Sequence, residues 1–245
     1  MGIKYKVNES FFERWSPTMA YVVGYIYADG HLIDSPYMRG KYLNISSVDK
    51  DSIDRIRKWL DSEHRIKEAV SHFKGSRICY ILRIGSHKIY NDLFKLGLYP
   101  KKSLTIRFPK IPKKYLGHFI RGYFDGDGCI YFEKRKGKYG QTIITRIRTV
   151  FTSGSKVFLK EINDALIKAA ITDGKIYSSK RSYQSVYNNK DSIKIFRLIY
   201  KNTGINSFFM RKFRIFKDYF ELRPQMVDEA IKNILAYHNN GHVVK

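Results

Sequence analysis

Two aspartates, each followed by a glycine and each closing an apolar segment, are the residues of this chain best placed to do chemistry. Asp29 ends the stretch Thr18–His31, TMAYVVGYIYADGH, and Asp127 ends Leu116–Ile130, LGHFIRGYFDGDGCI. The endings align as Gly24-Tyr25-Ile26-Tyr27-Ala28-Asp29-Gly30 and Gly122-Tyr123-Phe124-Asp125-Gly126-Asp127-Gly128. They lie a domain length apart, too far for a solenoid repeat. If both segments are helices, each carboxylate falls at the negative pole of a helix dipole. Two such ends side by side repel unless cations sit between them. Carboxylate oxygens are hard ligands suited to Mg²⁺, which keeps several waters and accepts phosphate oxygens.

The segments carry their own positioning signals. Ser16 is a capping residue ahead of Pro17, and Pro112 follows Ile111, so each proline is expected at a first helical position. Gly24 with Ala28, and Gly122 with Gly126, are small residues four apart, hence on one helix face. Two such faces allow backbones to approach almost to contact. Neither segment has the roughly 20 apolar residues that span a bilayer.

Charge narrows the class of partner. The 245 residues hold 46 Lys and Arg against 22 Asp and Glu, a net +24, which favours a polyanion, nucleic acid before an acidic membrane. The basic residues are spread along the chain and not gathered in one run, so folded surfaces carry them. Two cysteines, Cys79 and Cys129, are too few for a disulfide framework or a zinc cluster. There is no GxxxxGK[ST] loop for nucleotide hydrolysis. With no signal peptide or membrane span in view, an intracellular protein is expected: bacterial or phage cytoplasm, or an organelle matrix.

Around each aspartate the pattern repeats. After the first segment comes a turn-rich stretch, HLIDSPYMRGKY, then a half-buried strand at 42–47, where Leu43 and Ile45 alternate with Tyr42, Asn44 and Ser46. A helix is expected over 49–60, capped by Ser47 or Asp49. A hairpin over 65–84 turns at Lys74-Gly75-Ser76, and a helix over 87–98 is closed by Gly97 and Pro100. In the second half, strands at 129–134 and 142–152 flank the basic turn Arg135–Gly140. A helix over 157–169, a hairpin over 174–187 with its tip near Arg181, and a helix over 191–200 follow. A short helix over 228–237 precedes a frayed end. Pro109 and Pro112 mark a linker at 107–114, so the expected domains are 1–108 and 109–245. The fold class is α+β: two αββαββα halves, each with a four-stranded antiparallel sheet covered on one face.

Strand alternation says what the other face carries. In Arg146-Ile147-Arg148-Thr149-Val150-Phe151, Ile147 and Phe151 point one way and Arg146 and Arg148 the other. Ile130 and Phe132 belong to the core, leaving Tyr131, Glu133 and Arg135 outward. Tyr42 and Asn44, Arg77 and Arg83, and Ser182 and Gln184 have the same outward parity. Such a face can read base edges in the major groove, while loop-tip residues such as Lys138, Lys180 and Arg181 neutralise phosphates.

The paired segments, with Ala28-Asp29-Gly30, Gly126-Asp127-Gly128 and the middle glycines Gly24 and Gly122, resemble the two signature helices of the LAGLIDADG homing endonucleases in their single-chain form. The resemblance implies a DNA-binding saddle of two sheets joined through the two helices, and a monomer that cuts both strands of a long, asymmetric target across the minor groove with short 3′ overhangs. It also implies a role in spreading the mobile element that carries the gene. Asp29 and Asp127 would be catalytic and hold Mg²⁺, with the backbone carbonyls of Ala28 and Gly126 as further ligands. Mn²⁺ is expected to substitute, and Ca²⁺ to bind without cleavage. The family places a lysine near each metal. The candidates are Lys102, with Lys101 as rival, and Lys212, with Arg211 as rival. Tyr27, where the second copy has Asp125, falls at a position that usually serves structure. Asp49 and Ser155 are candidates for ordering a water pocket. The alternatives are an RNA maturase, a non-cleaving DNA-binding regulator, or the nuclease part of an intein, the last disfavoured by the starting Met1.

Overall fold

The computed structural model describes residues 5–35, 40–71, 77–204 and 207–240. The chain divides into two compact units, Met1–Gly126 and Asp127–Lys245.

In the first unit, helix α1 (Pro17–Asp29) starts where Ser16 Oγ accepts the Met19 N–H at 3.0 Å and Pro17 fills the first turn. Every residue from Met19 to Tyr27 is buried, as befits a helix apolar on all sides. Strands β1 (Gly30–Ser35) and β2 (Gly40–Ser47), helix α2 (Lys50–Trp59), strands β3 (Ile66–Ser71) and β4 (Arg77–Gly85) and helix α3 (His87–Lys95) follow. The antiparallel sheet has the order β1-β2-β4-β3. Leu32, Leu43, Ile45, Leu82 and Ile84 form its core face. Asp49 caps α2, accepting the Ser52 N–H and hydroxyl, each at 3.1 Å, and Ser86 caps α3. Asp49 thus spends its carboxylate on a helix end. Gly97, at φ +93°, supplies the left-handed turn that stops α3.

Two readings of the sequence need correction here. The stretch after Gly30 is not all turn: Gly30–Ser35 is a strand, paired with β2 along its whole length. Its alternation spans too few residues to show locally, and the pairing partner supplies the order that the local pattern lacks. Pro112 is not the first residue of the second apolar helix. It caps a short 3₁₀ turn, Lys113–Tyr115, that leads into helix α4 (Leu116–Asp127). The expected turn at Lys74-Gly75-Ser76 lies outside the described residues.

The division between units falls one residue before the end of α4, so by packing this helix sits in the first unit. Its contact with α1 is backbone on backbone. A Cβ added to Gly24 would lie 2.1 Å from the Phe119 carbonyl oxygen, and one on Gly122 would lie 2.0 Å from that of Tyr21. No side chain fits at either position. Around this seam Tyr21 OH donates to the buried Asp125 at 2.7 Å, and the Arg121 guanidinium lies over the Tyr21 ring. Burial, then the Asp125 charge, pushes the Tyr21 hydroxyl far up from its ordinary range, so it stays a donor.

The second unit repeats the order. Strands β5 (Gly128–Lys136) and β6 (Thr142–Ser153), helix α5 (Lys156–Ile167), strands β7 (Lys175–Ser179) and β8 (Ser182–Tyr187) and helix α6 (Asn189–Tyr200) make an antiparallel sheet, β5-β6-β8-β7, with its helices. Ser155 caps α5, its hydroxyl accepting the Phe158 N–H. Asn189 and Ser192 of α6 accept the N–H groups of Ile147 and Thr149, both at 2.9 Å, tying the helix to β6. Helix α7 (Met210–Leu222) was not anticipated. Its Phe213 and Phe216 pack on Phe196 and Tyr200 of α6. Helix α8 (Glu229–Asn240) closes the unit. No helix among the described residues is long and apolar enough to cross a membrane.

Candidate functional site

Asp29 is the last residue of α1 and Asp127 the last of α4, each followed by the glycine that opens a strand. The first helix end is crowded by α4. A Cβ on Gly126 would meet Ala28 Cβ at 2.4 Å and Asp29 Oδ2 at 3.2 Å, so the Gly126 backbone lies against the Asp29 carboxylate. Asp127 is the next residue along the chain. Burial first, and the Asp29 charge second, push the Tyr25 hydroxyl well above its ordinary range.

A buried lysine reaches the carbonyls beside each aspartate, by a different route in each unit. In the first, Lys101 takes a left-handed conformation, φ 58°, and opens a 3₁₀ turn, Lys102–Leu104. This drives Lys102 inward to 5% exposure, where its Nζ donates to the Tyr27 carbonyl at 2.8 Å. In the second, Lys212 sits in the first turn of α7, 4% exposed, and its Nζ donates to the Gly128 carbonyl at 2.6 Å. The rivals Lys101 and Arg211 are exposed, the latter lying over the Phe209 ring. A buried ammonium is costly unless hydrogen-bonded, and a cation at a helix C-terminal end is favoured by the dipole.

The donor set fits a hard cation. Among the described residues no cluster of three His, Cys, Asp or Glu could hold a metal. What each helix end offers is one carboxylate with neighbouring carbonyl oxygens. That suits Mg²⁺, which binds through one or two carboxylates and leaves places for waters and substrate phosphate.

The sheet faces carry the remaining expected residues. In the first unit His31 pairs with Asn44 and Asn44 with Arg83. Arg83 is exposed and its Nε donates to Asn44 Oδ1 at 3.2 Å, while Asn44 beneath is only 5% exposed. His31 was not anticipated; burial, then Lys102 and Arg83, lower its pKa. Its signal was its place two residues after Asp29. Tyr42 is half-buried, its ring over Gly85, and Arg77 is exposed at the far end of β4. In the second unit Tyr131 pairs with Arg148, and Glu133 with Arg146. Glu133 also holds Arg148 Nε at 3.2 Å. Gln184 stands between Thr152 and Tyr177, and Ser182 begins β8 beside the exposed turn residues Lys180 and Arg181. Arg135 lies beyond a bulge at Glu133/Lys134, with Lys138 exposed in the turn past it. The first sheet thus gathers His31, Asn44 and Arg83 in one row, and the second gathers Tyr131, Glu133, Arg146 and Arg148. Arg77, Lys138, Lys180 and Arg181 stand at the margins.

Residues 114–200 match the family model described as a LAGLIDADG-like domain. The fold is also similar to that of solved homing endonucleases. The homing endonuclease I-WcaI, solved bound to its DNA recognition sequence, matches with a TM-score of 0.57 over 84% of this chain and 91% of its own, at 15% identity. I-DmoI in complex with DNA and Mn matches with a TM-score of 0.51 over 80% of this chain and 100% of its own, at 17% identity. Its complex with DNA and Ca also has a TM-score of 0.51, over 80% and 92%, at 16% identity. At these identities the likeness is one of fold. A curated relative, the probable translation initiation factor IF-2 of Methanocaldococcus jannaschii, is 34% identical over 110 residues, which make up 42% of this chain and 8% of that protein. The chain therefore spans only a small part of that relative's length.

Proposed function

We propose that this chain is a site-specific DNA endonuclease that cuts both strands of a long, asymmetric target by Mg²⁺-dependent phosphodiester hydrolysis. The observation that carries the reading is the repeated constellation: an aspartate ending each signature helix, with a buried lysine donating to a carbonyl beside it. DNA-bound endonucleases of the same fold, one of them solved both with Mn and with Ca, support a divalent metal and a duplex substrate.

Asp29 and Asp127, with the carbonyls of Ala28 and Gly126, would hold the metal. When bound, it would act as a Lewis acid on the phosphate and lower the pKa of a bound water. Lys102 and Lys212 supply fixed positive charge where negative charge grows on the phosphoryl oxygens. Because each ammonium is already buried and oriented, it needs no reorganisation during reaction. The outward faces of the two sheets read bases, and the marginal lysines and arginines take phosphates. Two repeats, 1–108 and 109–245, suit the two strands of a duplex.

The test is cleavage of a duplex library in Mg²⁺ by the wild type and by the Asp29→Asn/Asp127→Asn double variant. Cutting is expected to vanish in the variant while the selected duplex is still bound in Ca²⁺. Unchanged cutting in the double variant overturns the assignment, and binding with no cutting by the wild type makes the chain a regulator.

A further inference from the structure

The two sheets can be aligned strand by strand from their registers. Gly30 pairs with Ile45, which pairs with Leu82; Gly128 pairs with Phe151, which pairs with Ser185. The next row on the outward face stands two residues after the signature aspartate in each unit. In the first it reads His31, Asn44, Arg83, and in the second Cys129, Val150, Val186. Equivalent places thus carry opposite chemistry.

In the first row Asn44 is enclosed and Arg83 is exposed, and the Nε–H of Arg83 is committed to Asn44 Oδ1 at 3.2 Å. Fixing Nε fixes the plane of the guanidinium and leaves its two terminal amino groups as an end-on pair. That fork matches the O6 and N7 acceptors of guanine in the major groove. In the second row Val150 and Val186 carry no side-chain donor or acceptor, and Cys129 Sγ makes its contact with the Ile130 carbonyl at 3.8 Å. Val150 is as enclosed as Asn44, so the row presents half-buried Val186 and the exposed, weakly hydrogen-bonding thiol of Cys129, and no fork comparable to Arg83.

We propose that Arg83, positioned by Asn44, reads a guanine in the half of the target held by the first sheet, and that the equivalent base pair in the other half is read by no such fork. This rests on the reading of the chain as a DNA endonuclease. Asn44, among the residues expected to touch DNA, becomes a positioning residue that acts through Arg83.

The experiment is selection from a randomised DNA duplex library by the full chain in Ca²⁺, with sequencing of the bound pool. The wild type is expected to enrich one site with a fixed guanine. Arg83→Ala is expected to cut the preference for that guanine by about 5- to 150-fold, with the other positions kept. Asn44→Ala should weaken preference at the same base pair alone, and Asn44→Asp, which keeps the acceptor, should restore it. A melting temperature for each variant separates misfolding from lost reading. An unchanged guanine in the Arg83→Ala pool overturns the inference and leaves the endonuclease standing. So does a loss of affinity spread evenly over all positions with a shallower salt dependence, which marks a phosphate contact. If the wild type enriches no duplex, the endonuclease reading falls and this inference with it.

Discussion

The two units agree where chemistry is expected and differ where sequence would be read. Helices α1 and α4 each end in an aspartate, and each unit buries one lysine against a carbonyl beside one of them and caps the helix after its second strand with a short polar side chain. Yet the lysine comes from a 3₁₀ turn in one unit and from an α-helix in the other. The outward rows nearest the aspartates share no residue type, and β5 and β6 are longer than β1 and β2. The lesson is that two unlike backbones can deliver an ammonium to the same kind of place, a carbonyl beside a helix-ending aspartate.

The strongest way to break this comparison is to remove the lysines one at a time. Lys102→Met and Lys212→Met should each slow cleavage by about 10²- to 10³-fold, the scale for deleting one preorganised electrostatic contact. Single-turnover assays with each strand end-labelled check it, and equal losses on opposite strands are the outcome the comparison demands. Two variants with unlike losses would mean that the units are not chemically equivalent.

The glycine seam should be equally intolerant from both sides. Gly24→Ala and Gly122→Ala both drive a methyl group into a carbonyl, and each is expected to cost about 3 kcal/mol or more. Denaturant unfolding at neutral pH measures it. One variant close to wild-type stability would show that the helices can slide apart.

Position 27 and its counterpart 125 should differ. Tyr27 OH donates to the Leu96 carbonyl at 2.6 Å, so Tyr27→Phe should cost about 1 kcal/mol. Asp125→Ala leaves Tyr21 without its acceptor in the buried seam and should cost about 1–3 kcal/mol. The ranking, read from the same unfolding curves, sharpens the contrast between the two repeats.

The smallest effect concerns one helix only. His118, where α1 has Ala20, is pushed down from about 6.5 to about 4, by burial first and by Arg121 second. The folded chain keeps it neutral while the unfolded chain takes up a proton, so its stability is full above about pH 6.5 and is lost as pH falls toward 4. Melting temperature should decline over that window, and less steeply in His118→Gln. Equal slopes in both proteins would assign the acid sensitivity elsewhere.

How legible all this was depends on the range of the forces involved. Element order could be read because the caps Ser16 and Asp49 and the alternating strands act within a few residues, whereas Ser86 and Ser155 declared themselves as caps only in the structure. Strand β1 and helix α7 escaped because each is completed by a distant partner, β2 for one and the aromatic face of α6 for the other. The aspartates stood out by repetition. Parity placed Asn44 outward, but its burial under Arg83 needs cross-strand register, which alternation does not specify. The Tyr21–Asp125 hydrogen bond joins residues 104 positions apart and left no local trace.

The seam between α1 and α4 bears on how the molecule tolerates being divided. A chain interrupted in the proline-bearing stretch 107–114 would yield one fragment ending in an uncovered groove and a second beginning with the helix shaped to fill it. With Gly24 and Gly122 as a single-register latch, separately made fragments have a built-in means of finding each other. The covalent tether then governs how often the two helices meet, and the glycine contacts govern how they fit once they do.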